Sequence, residues 1–366
     1  MSAGALDRSG QRQWLSGPLP DPSDAARGRA SDLPRVTVVT PSFNQGAYLE
    51  ETIRSVLMQG YPNLEYIIMD GGSTDNSVDI IRRYEPWLAT WTSAGDGGQS
   101  AAINAGWRRA TGEIVAWQNA DDAYCEGAIH NAVRTLQSDP SLAMAYGHCI
   151  AIDANGRRFA TLEVPRAFSA LAMLRSFNNI VPSTTAFIRK SVVDEIGPLD
   201  TSLHYTMDFE YVLRLGLRHP AAFDEGIRSL IRVHDDAKST KGLIAGLMEM
   251  YGIVRRLKEA SSDRTIVSAC IEGLAIGATR LSLAHGASGD FAAALRWRAI
   301  SLRHALTRPL SGSMLALLVP GRMFPGVRRY RADGSPLGVR MVPIGADQSA
   351  HSTPHGKPKS IAASRT

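Results

Sequence analysis

Apolar positions change their period several times along the chain, and each change marks an element. From Arg35, RVTVVT (35–40) is a β-branched run; Leu49, Ile53, Val56 and Leu57 then fall at i, i+4, i+7 and i+8, one face of a helix. LEYIIMD (64–70) reads as a second strand, SVDIIRRYE (77–85) as a helix and WLATWTS (87–93) as a third strand. QSAAINAGWRRA (99–110) reads as a helix and EIVAWQN (113–119) as a fourth strand. GAIHNAVRTLQ (127–137) follows as a helix with Ala128, Ile129, Ala132, Val133 and Leu136 facing inward. Strands spaced by helices of this length imply βαβ units, an α/β fold and a mainly parallel sheet. Ligands of such sheets bind beyond the carboxyl ends of the strands. Asn44, Asp70, Asp96 and the Asp121–Asp122 pair all follow predicted strand ends, so four separate turns bring polar groups to one rim.

Beyond residue 142 the alternation stops. Asn155-Gly156 is a hairpin signal within LAMAYGHCIAIDANGRRFATL (142–162). A helix is expected over 207–217 and a strand over 226–234, followed by mostly helical sequence from Gly242 to His304. The N-terminal stretch, rich in Pro, Ser, Gly, Ala and charge, has no apolar h-region and reads as neither signal peptide nor anchor. The expected organisation is a disordered segment over 1–33, a catalytic domain over 34–241, a helical, basic region over 242–331 and a disordered tail over 332–366.

Charge and cysteine content sharpen this picture. From Asp290 onward there are twelve Lys and Arg against three Asp and no Glu, so a net +9 there leaves −4 for the rest of a chain whose total is +5. The main domain is mildly acidic, which disfavours nucleic acid as its partner. Cys125, Cys149 and Cys270 lie far apart without a CxxC pair, which argues against a disulfide framework and fits the cytoplasm. No uncharged apolar run approaches the roughly 20 residues of a spanning helix. FAAALRWRAISLRHAL (291–306) and MLALLVPGRMFPGVRRYR (314–331) are basic and amphipathic, which suits peripheral contact with the cytoplasmic face of a membrane, a helical subdomain or an oligomer contact equally.

The chemistry concentrates in WQNADDAY (117–124), where an apolar strand runs into two adjacent carboxylates. An Asp pair at a strand end often only caps a helix. Here Asp70 and Asp96 share the rim and few Lys or Arg lie nearby, so the cluster asks for a cation. Oxygen ligands of this kind suit Mg²⁺ or Mn²⁺. DGGSTDNS (70–77) does not have P-loop spacing, and neither it nor GDGGQS makes a dinucleotide fingerprint.

Three blocks in order carry a resemblance: TPSFNQGAYLEETIRSVLMQGYPNLEYIIMDGGSTDNS (40–77), GDGGQSAAINAGWRRATGEIVAWQNADD (95–122) and GPLDTSLHYTMDFEYVLRL (197–215). Together they resemble glycosyltransferase family 2, the inverting transferases of the GT-A fold, over roughly Arg35 to Lys241. The resemblance implies that the Thr40-Pro41-Ser42-Phe43-Asn44 turn lies against a nucleotide and that Asp70 binds its base. It implies that Asp96 and Gln99 complete the nucleotide pocket, with Asn104 and Gly106 on the helix beside it. Asn119-Ala120-Asp121-Asp122 matches the DxD region: Asp121 would touch ribose or metal, and Asp122 the metal bridging the diphosphate. Asn119 stands where the family often has Asp, which leaves Asp122 as the main ligand. Met207-Asp208 matches an acidic pair near the acceptor, with Asp208 as catalytic base and Met207 a departure. Arg232, His234 and Lys238 resemble the segment that closes over the diphosphate, His234 as a metal ligand and the cations against phosphate. The Gln-x-x-Arg-Trp signature of processive synthases is absent after Asp208, so transfer of a single sugar, UDP-linked, to a glycan or lipid-linked hydroxyl acceptor is expected, in cell-surface polysaccharide or lipid-linked glycan synthesis. The rivals are a nucleotidyltransferase making nucleotide sugars, which would carry a Gly-rich loop with Arg and Lys after the first strand, and a catalytically silent nucleotide-sugar binding protein.

Overall fold

The computed structural model describes residues 13–22, 32–234, 238, 242–306 and 340–343. The chain begins its regular structure with β1 (Val36–Ser42), α1 (Leu49–Leu57), β2 (Leu64–Asp70), α2 (Ser77–Tyr84), β3 (Thr90–Ser93), α3 (Gln99–Arg109), β4 (Ile114–Trp117), β5 (Ala123–Tyr124) and α4 (Ala128–Ser138). It continues through β6 (Met144–Ile152), β7 (Arg158–Glu163), α5 (Ala170–Ser176), β8 (Phe187–Arg189), α6 (Lys190–Ile196), α7 (Met207–Gly216) and β9 (Ala221–Arg232). Helices α8 (Leu243–Ala260), α9 (Arg264–Ser288) and α10 (Phe291–Leu306) follow, and β10 (Arg340–Pro343) closes the series. The expected α/β architecture is present, with a mixed central sheet and a helical C-terminal region.

The sheet runs β10-β7-β6-β8-β4-β1-β2-β3, with β9 pairing β5 and β6 off that path. Its parallel core is β3-β2-β1-β4, in which β1 is flanked by β2 on one side and β4 on the other. The chain therefore leaves β1 toward one neighbour and returns later to the other, a topological switch point where two strand ends diverge and leave a crevice. Strand periodicity assigns residues to two cores. Val36, Val38, Tyr66, Ile68, Ile114 and Ala116 face the inward sides of α1, α2 and α4. Val39, Ile67, Met69, Val115 and Trp117 face α3 and share their core with Leu174, Val212, Leu247, Val254 and Leu274 of helices α5, α7, α8 and α9. The helical region thus completes one face of the sheet.

Several expectations need adjusting. β3 starts at Thr90 because Glu85–Trp87, which contains Pro86, closes as a 3₁₀ turn. The hairpin forms as β6 and β7, around a turn in which the Asp153 carboxylate accepts from the Asn155 and Arg157 N–H groups and Gly156 takes φ +74°. Within the segment expected to be disordered, residues 13–21 lie on the folded body: Arg54 donates to the Leu15 and Gly17 carbonyls at 2.6 and 2.5 Å, and Trp87 to the Pro20 carbonyl at 2.8 Å. Leu15 is buried there, so an apolar side chain in a polar stretch is what anchors it. Arg340–Pro343, expected as part of a disordered tail, pairs antiparallel with β7 in the register Arg340↔Glu163 to Pro343↔Ala160. α9 is by length and composition apolar enough to cross a membrane, and half of it is buried inside the molecule. The stretch 314–331 lies outside the described residues.

Candidate functional site

The parallel register aligns the ends of three strands: Ser42 stands opposite Asp70, and Asp70 opposite Ser93. Across the switch point, Val39 of β1 pairs with Trp117 of β4, so the residues after each emerge side by side. Between them opens a cleft of about 700 Å³, lined among others by Pro41, Ser42, Asp96, Gln99, Asp121, Asp122 and Asp208. Seven of the expected site residues, drawn from β1, α3, α7 and the loops that follow β3 and β4, are therefore brought to one cavity. The Ser42 hydroxyl is buried and has no hydrogen-bond partner among the described residues, a costly arrangement unless a ligand supplies one. Next to it the Phe43 ring is 59% exposed on the cleft wall, a flat apolar face open to a planar group.

The acidic pair is held in detail. Asp122 is buried; its Oδ1 accepts from the Arg232 backbone N–H at 2.8 Å and its Oδ2 from the Asn119 amide at 2.9 Å. Burial, and next the charge of Asp121, push the Asp122 carboxyl well above the usual carboxylate range, against the opposing pull of those two donors and the Arg232 charge. Asp121 meets the His234 ring nitrogen at 3.2 Å. Arg232 is the nearby cation that local sequence conceals, because it arrives from β9. Its guanidinium is spent on the fold: it pairs with Glu51 at 2.7 Å, donates to the Asp121 carbonyl at 3.0 Å and lies 4.7 Å from the centre of the Tyr48 ring. It braces the acidic loop, with further bonds to the Asp153 and Ala154 carbonyls at 3.3 and 3.4 Å, while lining the cleft. Lys238 faces the cleft as well. Its ammonium donates to Gln99 Oε1 at 3.3 Å, Gln99 donates to Asn119 Oδ1 at 2.9 Å, and Asn119 passes its own N–H to Asp122. Asn119 thus both accepts and donates in this relay, which a carboxylate in its place could not do beside Asp122.

Asp208 sits in the first turn of α7, half-buried at the far side of the cleft. Its Oδ2 accepts from Asn179 at 2.9 Å and its Oδ1 from the Phe209 N–H at 2.8 Å. Burial raises its proton affinity, and these donors with the Lys238 charge only partly offset it. Lys238 in turn is made a weaker base by burial, opposed by the Glu249 and Asp208 charges. Met207, in place of the expected acid, is buried with its sulfur accepting from the Ser100 hydroxyl at 2.7 Å.

Three expected donor-binding residues are turned to the scaffold. The Asp70 carboxylate accepts from the Gly72 and Ser73 N–H groups and from the Ser73 and Ser93 hydroxyls, so it folds the turn. Asn44, at φ +52°, accepts from the Thr74 N–H and receives no place on the cleft wall. Asn104 clips Leu199 by donating to its carbonyl and accepting from its N–H, both at 2.9 Å. Asp96 occupies the space beside Gly71: a Cβ on that glycine would stand 3.2 Å from the Asp96 carboxylate. Asn179, which no motif marks, reaches the candidate base, and Tyr48 and Glu51 hold Arg232. Sequence offered little signal for these three beyond their polarity.

No group of three His, Cys, Asp or Glu poised around a metal occurs among the described residues. Mg²⁺ and Mn²⁺, however, ordinarily use one or two carboxylates and complete their shell with water and phosphate. Asp121 and Asp122 present that donor set on the cleft wall, two adjacent carboxylates whose like charges a bound cation would offset. The residues fit the ion.

Comparison with known proteins agrees with the fold. Residues 37–197 match the model of Glycosyl transferase family 2. An uncharacterized glycosyltransferase of Nostoc sp. (strain PCC 7120) is 30% identical over 175 residues, 45% of this chain and 54% of its own length. The chain thus spans about half of that relative. An uncharacterized glycosyltransferase of Mycobacterium tuberculosis (strain H37Rv) is 30% identical over 193 residues, 51% of this chain and 71% of its own length. Among solved structures, the mannosyltransferase PcManGT from Pyrobaculum calidifontis, in complex with GDP-Man and Mn²⁺, superposes with TM-score 0.51 at 21% identity, over 84% of this chain and 90% of its own. Residues 1–349 of S. aureus TarS, in complex with UDP-GlcNAc, give TM-score 0.50 at 13% identity, over 76% and 93%.

Proposed function

The chain belongs to glycosyltransferase family 2, and on that premise we propose that it moves a single sugar from a nucleotide sugar, UDP-linked, to a hydroxyl acceptor with inversion at the anomeric carbon. The observation that carries the reading is one cleft joining the unpartnered Ser42 hydroxyl, the Asp121–Asp122 pair and the Asp208 carboxylate. The base stacks on the exposed Phe43 ring beside Pro41 and Ser42, with Asp96 and Gln99 at its margin. The cited neighbours carry GDP-Man and UDP-GlcNAc respectively, so both uracil and guanine belong in the donor screen. Lys238 faces the diphosphate.

Asp122 and Asp121 would hold Mg²⁺ or Mn²⁺, with His234 as a further ligand, and the bound ion supplies Lewis-acid stabilisation of the leaving diphosphate. Asp208 takes the acceptor hydroxyl proton as that oxygen bonds to the anomeric carbon. The bond from that carbon to the phosphate oxygen breaks with its electron pair leaving on the diphosphate. A carboxylate whose proton affinity is raised by burial is better matched to this task near neutral pH. Attack opposite the departing group inverts the centre, and one base suffices.

The acceptor in this reading is a glycan or lipid-linked hydroxyl at the cytoplasmic face of a membrane. Its support is α10, which carries Arg296, Arg298 and Arg303, has no acid, and exposes Phe291 (70%), Leu295 (72%) and Leu302 (37%). The test of the donor site is a thermal-shift screen of nucleotides and nucleotide sugars with and without Mn²⁺. UDP-sugars should raise the melting temperature by a few degrees, and only with the ion. A flat response to every nucleotide would sink the donor assignment.

A further inference from the structure

The segment that delivers Asp208 has no cap of its own. Thr206 occupies the N-cap of α7 without a side-chain bond to the helix, and Met207 follows directly, then Asp208. What holds this entry comes from the helical region. Glu249 of α8 accepts from the His204 N–H through Oε1 at 2.9 Å. Its Oε2 accepts from the Tyr205 and Thr206 N–H groups at 2.8 and 3.0 Å and from the Thr206 hydroxyl at 3.1 Å. Four donors from three consecutive residues converge on one carboxylate, at the helix end where negative charge is favoured.

The rest of the α8 surface is shaped for the same segment. Gly242 and Gly246 lie about two turns and about one turn before Glu249, on one face. A Cβ at Gly242 would stand 1.9 Å from the Tyr205 ring, and one at Gly246 would stand 3.3 Å from the Tyr205 Cβ. The helix therefore seats against Tyr205 before Glu249 closes on the backbone. On the opposite side, α3 holds the same stretch through Asn104 on Leu199 and Ser100 on Met207. The base-bearing turn is gripped between two helices that lie far apart in the chain.

We propose that Glu249 is the positioning residue for Asp208: by gathering the 204–206 backbone it sets the start of α7, and with it the reach of the catalytic carboxylate toward the acceptor hydroxyl. This rests on the reading of Asp208 as the proton acceptor. The helical C-terminal region is then part of the catalytic machinery of the sheet domain. Displacement of a reacting group by about 1 Å costs on the order of 10²-fold in rate.

The experiment compares Glu249→Ala and Glu249→Gln with wild type in the full chain, measuring kcat, acceptor KM and UDP affinity with Mn²⁺, alongside Asp208→Asn. Glu249→Ala should lower kcat about 10- to 100-fold with UDP affinity within about twofold of wild type. Glu249→Gln keeps one accepting oxygen and should recover part of that loss; it also carries the test if the alanine variant does not fold. Unchanged kcat in Glu249→Gln and Glu249→Ala, or a loss of kcat matched by an equal loss of UDP affinity, overturns the positioning role. Full turnover by Asp208→Asn would instead overturn the assignment of the base itself, so the two failures are distinguishable.

Discussion

The two halves of the cleft are built by different means. The half proposed for the donor rests on the ends of β1, β2, β3 and β4, four strands in parallel register whose termini are aligned by the ladder itself. The half proposed for the acceptor rests on one helical turn, Met207-Asp208, which is bonded to Asn179 and α3 and whose entry is bonded to α8. Where a sheet supplies position, site residues cluster in recognisable motifs. Where tertiary contacts supply it, the supporting residues are scattered and carry no local mark. The difference separates functions that should fail independently on mutation.

The sharpest way to break the comparison is Asp208→Asn. It should lower kcat by about 10²–10⁴-fold while metal-dependent nucleotide binding persists, as measured by turnover and titration calorimetry on one preparation. Turnover unchanged from wild type would remove the base, and nucleotide binding without transfer by wild type itself would favour a silent binding protein. Because burial raises the Asp208 proton affinity in the folded state, the acidic limb of kcat should lie above the ordinary aspartate range. The same shift has a stability consequence: the contribution is present at pH below the unfolded value and is lost as pH rises through the folded one. Asp208→Asn should therefore hold its melting temperature better than wild type as pH is raised.

Next in size, Asn104→Ala removes two buried hydrogen bonds and leaves the Leu199 N–H and carbonyl without them, which should cost about 2–3 kcal/mol in denaturant unfolding. Nucleotide affinity in that variant should stay near wild type. A selective loss of nucleotide binding would return Asn104 to the donor pocket. The smallest effect belongs to Ser42→Ala. Its hydroxyl has no partner among the described residues, so stability should be unchanged or slightly improved, while UDP affinity falls about tenfold, roughly 1.4 kcal/mol. A stability loss without a binding loss would show that Ser42 serves the fold.

This contrast also explains what could be read from the sequence. β2 occupies Leu64–Asp70 and α1 buries Leu49, Ile53, Val56 and Leu57, because period and burial are the same fact for elements packed on one sheet. The identity of the rim was legible for the same reason. The direction of each polar side chain was not. Asp70, Asn44 and Asn104 have the residue types of a binding site, yet neighbouring N–H groups and hydroxyls claim them, and a motif does not record which donors lie within reach. Arg232 was invisible as the partner of the acidic loop because 110 positions separate it from Asp122. Glu249 carries no local mark either, since 43 to 45 positions separate it from the N–H groups it accepts from.

The strand Arg340–Pro343 has a consequence for how the molecule behaves among its own copies. A sheet's outermost strand displays unpaired N–H and C=O groups that can template another chain, the route to edge-to-edge aggregation. One margin here is β3, only four residues long. At the other, β7 is capped by Arg340–Pro343, and Pro343 has no N–H with which to extend the ladder. These four residues would thus serve solubility, by occupying a border that a second molecule could otherwise join.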